Sequence, residues 1–284
     1  MEIPFEINRK ILRYEPIGYE GLTLYPIRVS EYSEYSIARS AIEFMQRRLP
    51  VSYWSMPILS AFFKLDYEAV QQHGKPVHNM FANALLFLCL SLRLGEGMSP
   101  EKRLALITPI VNRDDPRKLI ALEFTDSDGQ KKRITPIQFA KLKPILAAQN
   151  GLTLVSDNAN PDLVDAEHDI AAANGPKLDV TVENLVSAVA AITNIGESDI
   201  EDWPILKLLK RQEIYRRMLN FVICGIGETQ GTKWKGGNPY PDPFFSRISD
   251  NSSAAIPIET YAGGEGLRAI QNAGIPVNNE IKER

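Results

Sequence analysis

The stretch that decides the fold is Val77-His-Asn-Met-Phe-Ala-Asn-Ala-Leu-Leu-Phe-Leu-Cys-Leu-Ser-Leu-Arg-Leu94. Its apolar residues fall on nearly all sides of a helix. A helix at a protein surface keeps them on one stripe, so a helix apolar all round must be surrounded by other elements. The stretch therefore predicts the central helix of a bundle, from about Val77 to Leu94. Its densest part, Ala84 to Leu92, is too short to span a bilayer and reads as a buried helix.

Two further helices are read before it. Ser30 offers an N-cap, with Ser33-Glu34 close to a capping-box arrangement, and Ile37, Ala41, Phe44 and Met45 are spaced for a helix that Pro50 ends. The next begins at or after Pro57 and carries Ile58, Leu59, Phe62, Phe63 and Leu65. Residues 1–29 read as a short β segment. Phe5, Ile7, Ile11, Tyr14 and Ile17 are scattered among polar residues, Gly18-Tyr-Glu-Gly21 makes a turn, and Leu22, Leu24, Ile27 and Val29 alternate.

After Pro100 the helical spacing gives way to alternation. One strand is expected to carry Leu104, Leu106 and Ile110-Val111, a second Leu119–Phe124 and a third Lys132–Ile134. Turn residues at 112–116 and 126–129 separate them. A helix follows over Pro136–Gln149, ended by Asn150-Gly151. Residues 156–177 read as a polar connector with one short helix near Val164–Ala173. Helicity resumes over Thr181–Ile192 and again over Trp203–Cys224. In that last helix Leu206, Leu209, Ile214, Met218, Phe221 and Val222 are assigned to the core side. Lys207, Lys210, Arg211, Arg216 and Arg217 are assigned to a basic outer side. Gly225, Gly227 and Gly231 are expected to stop it.

The fold class is thus mainly α (α+β): a helical bundle with an N-terminal short β segment and an inserted small antiparallel β meander. The bundle is built from residues 30–99 and 178–224. The meander spans 100–135, and a helix with the polar connector spans 136–177. A Gly/Pro/aromatic segment covers 225–248, and a weakly ordered tail covers 249–284.

The chain has 284 residues, 44% of them hydrophobic and 24% charged, with a formal net charge of -3. That balance lacks the clustered basic surface that nucleic acid requires. The tight triplet Lys131-Lys132-Arg133 follows Asp126, Asp128 and Gly129 and reads as part of a solvated hairpin. The two cysteines, Cys89 and Cys224, sit in apolar helical patterns and fit a reducing compartment. The N-terminal residues lack the basic-then-apolar order of a signal peptide.

Little in the chain points to chemistry. The glycines at 225, 227 and 231 follow a helix instead of a strand, which does not fit a dinucleotide fingerprint. His73, His78 and His168 have no helical i, i+4 partner and read as surface histidines. Asp114-Asp115 reads as a turn. The acidic run Glu197–Asp202 reads as a favourable approach to the next helix start. No catalytic grouping, cofactor motif or metal-ligand set stands out, so a non-enzymatic protein with no cofactor is expected.

The segment 225–245 reads differently. Pro239, Pro241 and Pro243 hold it extended, and it carries Trp234, Tyr240, Phe244 and Phe245 beside Lys233 and Lys235. These six residues are the candidate partner-binding set. The segment docks either on another chain or on this chain's own core.

Four pieces occur in order: Gly21-Leu-Thr-Leu-Tyr-Pro-Ile-Arg-Val-Ser-Glu-Tyr32; Leu49-Pro-Val-Ser-Tyr53 with Met56-Pro57; Pro136-Ile-Gln-Phe139 with Gln149-Asn-Gly151; and Lys233-Trp-Lys-Gly-Gly-Asn-Pro-Tyr-Pro-Asp-Pro-Phe-Phe245. This order resembles proteins encoded among the tail-morphogenesis genes of tailed phages and prophages of Gram-positive bacteria, and among them the tail assembly chaperone type. The resemblance covers roughly residues 20–248. It implies a helical, non-enzymatic factor of the host cytoplasm. Such a factor binds the long tape measure protein, keeps it soluble and helps tail-tube subunits polymerise around it. The partners expected are therefore a tape measure or tail tube protein, with a homo-oligomer as a further expectation, and neither nucleic acid nor membrane. The chain is longer than many such chaperones and contains the 100–135 meander. A structural virion component (baseplate, neck or connector protein) is accordingly the second expectation.

Overall fold

The computed structural model describes residues 3–76, 79–126, 128–156, 159–174, 181–231 and 240. The elements run α1 (Phe5–Leu12), β1 (Ile17–Tyr19), β2 (Leu22–Leu24), α2 (Tyr32–Glu43), α3 (Ile58–His73), α4 (Met80–Leu92) and α5 (Pro100–Leu104). The meander β3 (Thr108–Val111), β4 (Leu119–Thr125) and β5 (Lys131–Ile134) follows. Then come α6 (Pro136–Gln149), α7 (Pro161–Asn174), α8 (Val182–Thr193), α9 (Glu197–Glu201) and α10 (Ile205–Thr229). The chain divides into two compact units. One takes in the described residues of Met1–Leu154 and Lys177–Phe244; the other, in its described residues, is the segment that carries α7. The architecture is mainly helical with two small antiparallel sheets.

The central helix is α4, as its all-round apolar sequence requires. Ala84, Phe87, Leu88, Cys89 and Leu90 are fully buried, and α4 packs against α2, α3, α5 and β2. Burial also holds the Cys89 thiol in its neutral form, pushing it up to about 12, with Arg103 opposing. Its Sγ–H donates to the Arg103 carbonyl at 3.3 Å.

The N-terminal β segment needs correction, because its first part is the helix α1. Ile3, Ile7 and Ile11 recur every fourth residue and meet the core, whereas Phe5 is 77% exposed. The period is four, not two. The hairpin that follows pairs Ile17 with Leu24 and Tyr19 with Leu22. Its turn residues Glu20 and Gly21 both have positive φ, as a two-residue type I′ turn demands. Ser30 does not cap α2, whose N-cap position is Glu31 without a side-chain capping bond.

The meander has strand order β3-β4-β5 with both pairs antiparallel. Leu119, Leu122, Phe124 and Ile134 enter the same core as the helices, so the sheet is part of the domain it interrupts. Leu104 and Leu106, expected in a strand, instead end α5 and lie in the turn after it, and Pro100 opens α5 at its first turn. The basic triplet lies on β5 and is neutralised across the sheet. Arg133 and Lys131 reach Glu123 at 2.8 and 3.6 Å, and Lys132 reaches Asp126 at 3.8 Å.

A polar latch closes the core. Asn150 is fully buried. Its Oδ1 accepts from the Ile27 N–H at 2.9 Å, its Nδ2 donates to the Leu146 carbonyl at 2.8 Å, and its own carbonyl accepts from the Tyr35 hydroxyl at 2.9 Å. Replacing Asn150 by alanine strands the buried Ile27 donor. The expected loss is about 1–3 kcal/mol of unfolding free energy, to be read from urea denaturation with an unchanged m-value.

Candidate interaction surface

Helix α10 starts from a rigid attachment. The Ile205 N–H, unpaired within its own helix, donates to the Ile27 carbonyl at 2.9 Å, and the Val29 N–H donates to the Trp203 carbonyl at 2.9 Å. Ile205, Leu206 and Leu208 are buried, and the helix packs on α8. Gly151, with φ of +75°, admits this close approach: a Cβ there would stand 3.0 Å from Leu209 Cδ1.

The basic residues near this end are engaged. Lys207 Nζ lies 3.8 Å from the Trp203 ring centroid and Lys210 Nζ lies 5.7 Å from that of Tyr14. Burial, with Arg211 adding, pulls the Lys207 ammonium below its ordinary value. Further along, Glu213 accepts from Arg216 at 2.9 Å and Arg217 at 2.8 Å. The Arg216 hydrogen bond leads in holding its carboxyl below the usual range, and burial opposes it. The basic side expected from the sequence is thus partly spent on rings and on one glutamate.

Leu209 also packs against the core as expected, but beyond it the expected core side is not covered. Ile214, Met218, Phe221 and Val222 are all exposed, as are Leu219 (60%), Ile223 (62%) and Ile226. Cys224 is the one buried residue in that half of the helix. The helix also continues through Gly225 and Gly227 to Thr229, correcting the expected stop at Gly225, and gives way before Gly231, whose φ is +85°. A glycine inside a helix costs roughly 1 kcal/mol. The continuing hydrogen-bonded turns of a 25-residue helix outweigh two of them. The result is a continuous apolar face at three- and four-residue spacing. Its exposed apolar area is on the order of 700 Å², more than the ~300–600 Å² that monomers ordinarily leave in one patch.

Of the candidate partner-binding residues, Trp234, Lys233, Lys235, Phe244 and Phe245 lie outside the described residues; Tyr240 is described and half-buried. Periodicity did single out Ile214, Met218, Phe221 and Val222, but assigned them to the core.

The other places where chemistry was weighed are accounted for locally. Asn112 Oδ1 accepts the N–H of Asp114 at 2.8 Å and of Asp115 at 3.3 Å, a turn as expected. The run at Glu197–Glu201 forms the short helix α9 and does not simply lead into α10. His73 is exposed at the end of α3; His78 and the His168 side chain lie outside what is described. Two cavities of about 160 and 240 Å³ are smaller than the ~300–1,000 Å³ of typical ligand pockets. Among the described residues neither lining contains a histidine or cysteine. Among the described residues no helix is long and apolar enough to cross a membrane, and no three His, Cys, Asp or Glu side chains are grouped to hold a metal ion.

No protein-family model, curated protein or solved structure matches this chain.

Proposed function

We propose that this protein is a non-enzymatic assembly factor that works by covering the apolar stripe of a helical partner, with the outer face of α10 as its working surface. The observation that carries the reading is the row Ile214, Met218, Leu219, Val222, Ile223 and Ile226, exposed on a helix anchored at its other end. An amphipathic helix presented in this way is suited to pair with another at three- and four-residue spacing. The sequence resemblance supplies the partner: the tape measure protein of a phage tail, a long helical chain whose apolar stripes need cover until tube subunits polymerise around it. The factor then acts in the host cytoplasm, and the segment carrying Lys233, Trp234, Lys235, Tyr240, Phe244 and Phe245 extends the docking surface.

Co-expression of the full chain with a tape measure protein of a tailed phage of Gram-positive bacteria tests this. The expected outcome is that the tape measure stays soluble and co-purifies with the protein. If it remains insoluble and uncaptured while the protein itself is folded, the reading fails.

A further inference from the structure

We infer that the free protein is a dimer in which α10 of one copy lies antiparallel against α10 of a second. This inference rests on reading α10 as a protein-binding surface, but not on the assignment to tail assembly. In the free protein the second copy occupies the face that a partner helix takes later.

Area is the first argument. The seam of this face would bury part of its roughly 700 Å² per copy, which places the pair among the smaller specific interfaces, below ~1,200 Å² in total, and fits a reversible association. An unpaired copy would leave that surface in water.

Self-complementarity is the second. When two copies of the stripe run in opposite directions about a two-fold centred at Asn220, Met218 stands opposite Val222, Ile214 opposite Ile226, and Tyr215 opposite Gly225. In these layers branched residues meet branched or flexible ones and Tyr215 faces the residue that has no side chain; Phe221 stands opposite Leu219, and Ile223 opposite Arg217, whose aliphatic stem is what it can pack on. The Met218–Val222 layer then occurs twice, once on each side of the axis, as an isologous interface requires.

Charge selects the direction. Lys210, Arg211, Arg216 and Arg217, with Glu213 pairing the last two, leave one end of the stripe net positive, and Glu228 lies at the other. A parallel pair would set the two basic ends side by side. The antiparallel pair separates them and places Arg211 near Glu228 of the second copy, and opposite charges at such spacing favour association.

Sedimentation velocity of the full chain over a range of concentrations tests the inference. The expected result is a reversible monomer–dimer equilibrium. In the double variant Met218→Asp/Val222→Asp its dissociation constant should rise at least tenfold, with circular dichroism unchanged and with Tm unchanged at concentrations where both proteins are monomeric. A wild-type chain that is monomeric throughout, or a dimer that the double variant leaves intact, overturns it. Orientation is read independently, and without relying on the aspartates, from disulfide formation between differently tagged Met218→Cys and Val222→Cys chains. Mixing the two should give the crossed species in preference to either self-linked one. Dominant self-linking by each variant alone would overturn the antiparallel arrangement. A persistent dimer that fails to capture the tape measure protein removes the proposed function and leaves this inference standing.

Discussion

Replacing Arg103 by methionine is expected to lower the unfolding free energy by about 3 kcal/mol, the lower part of the range for breaking a buried ion pair from one side. Arg103 is only 3% exposed. Both of its terminal nitrogens reach Glu31 Oε1 at 2.9 Å, and one stands 3.7 Å from Glu34. These contacts fasten α5 to the start of α2. Methionine fills the volume but leaves two half-buried carboxylates facing each other. Water still reaches those carboxylates, which keeps the cost from the top of the range.

The loss is also expected to depend on pH. Burial raises the Glu34 carboxyl above its ordinary value; Arg103 opposes that shift and Glu31 adds to it. A carboxyl raised on folding contributes stability that is present below its unfolded value and is lost as pH rises through the folded one. Without Arg103 the rise is larger. The deficit of the variant should therefore grow as pH climbs from the ordinary carboxylate value through the raised one, and then level off. Urea denaturation of both proteins at about pH 4 and about pH 7 checks this, with the larger difference expected at the higher pH. An equal difference at both would assign the loss to packing alone.

Substituting Leu219 and Val222 together by aspartate is expected to do the reverse: little to stability and much to binding. Both are exposed in the single chain, so the monomer loses almost no buried contact, and exposed substitutions usually change stability by less than about 0.5 kcal/mol. In a paired helix the same positions lie at the seam, where central anchors contribute on the order of 2 kcal/mol or more each. Capture of a tape measure protein, the proposed partner, should fall by roughly a hundredfold or more, measured by pull-down at matched expression, while the melting temperature, read at a concentration where the wild-type chain is monomeric, stays within a degree or two. A clear drop in melting temperature would mean that α10 is sealed by its own chain.

The sequence made parts of this fold legible for identifiable reasons. The centre of the bundle could be read because α4 has no polar face to hide. The bounds of α6 could be read because Pro136 opens it and Asn150-Gly151 closes it. The meander could be read because its turns carry Asn112 and Asp126, which accept backbone N–H groups. α1 was missed because Phe5 breaks the four-residue rhythm of Ile3, Ile7 and Ile11 with an exposed ring. The buried Arg103 was illegible because its partner Glu31 is 72 residues away. The apolar face of α10 was legible as a face and misassigned as core. Spacing tells which residues share a side of a helix; it carries no information about which molecule covers them. The aromatic segment with Trp234 and Phe244 is defined by sequence alone, outside the described residues.

The central claim is that the exposed stripe of α10 meets a different polypeptide. A photo-cross-linking amino acid placed at Val222 in the full chain, expressed alone and with the tape measure protein, tests it most directly. The expected product is intermolecular: the chain joined to a second copy when alone, and to the tape measure protein when both are present. Cross-links confined to the chain's own residues would contradict the claim and make the stripe an internal seat for its own polypeptide.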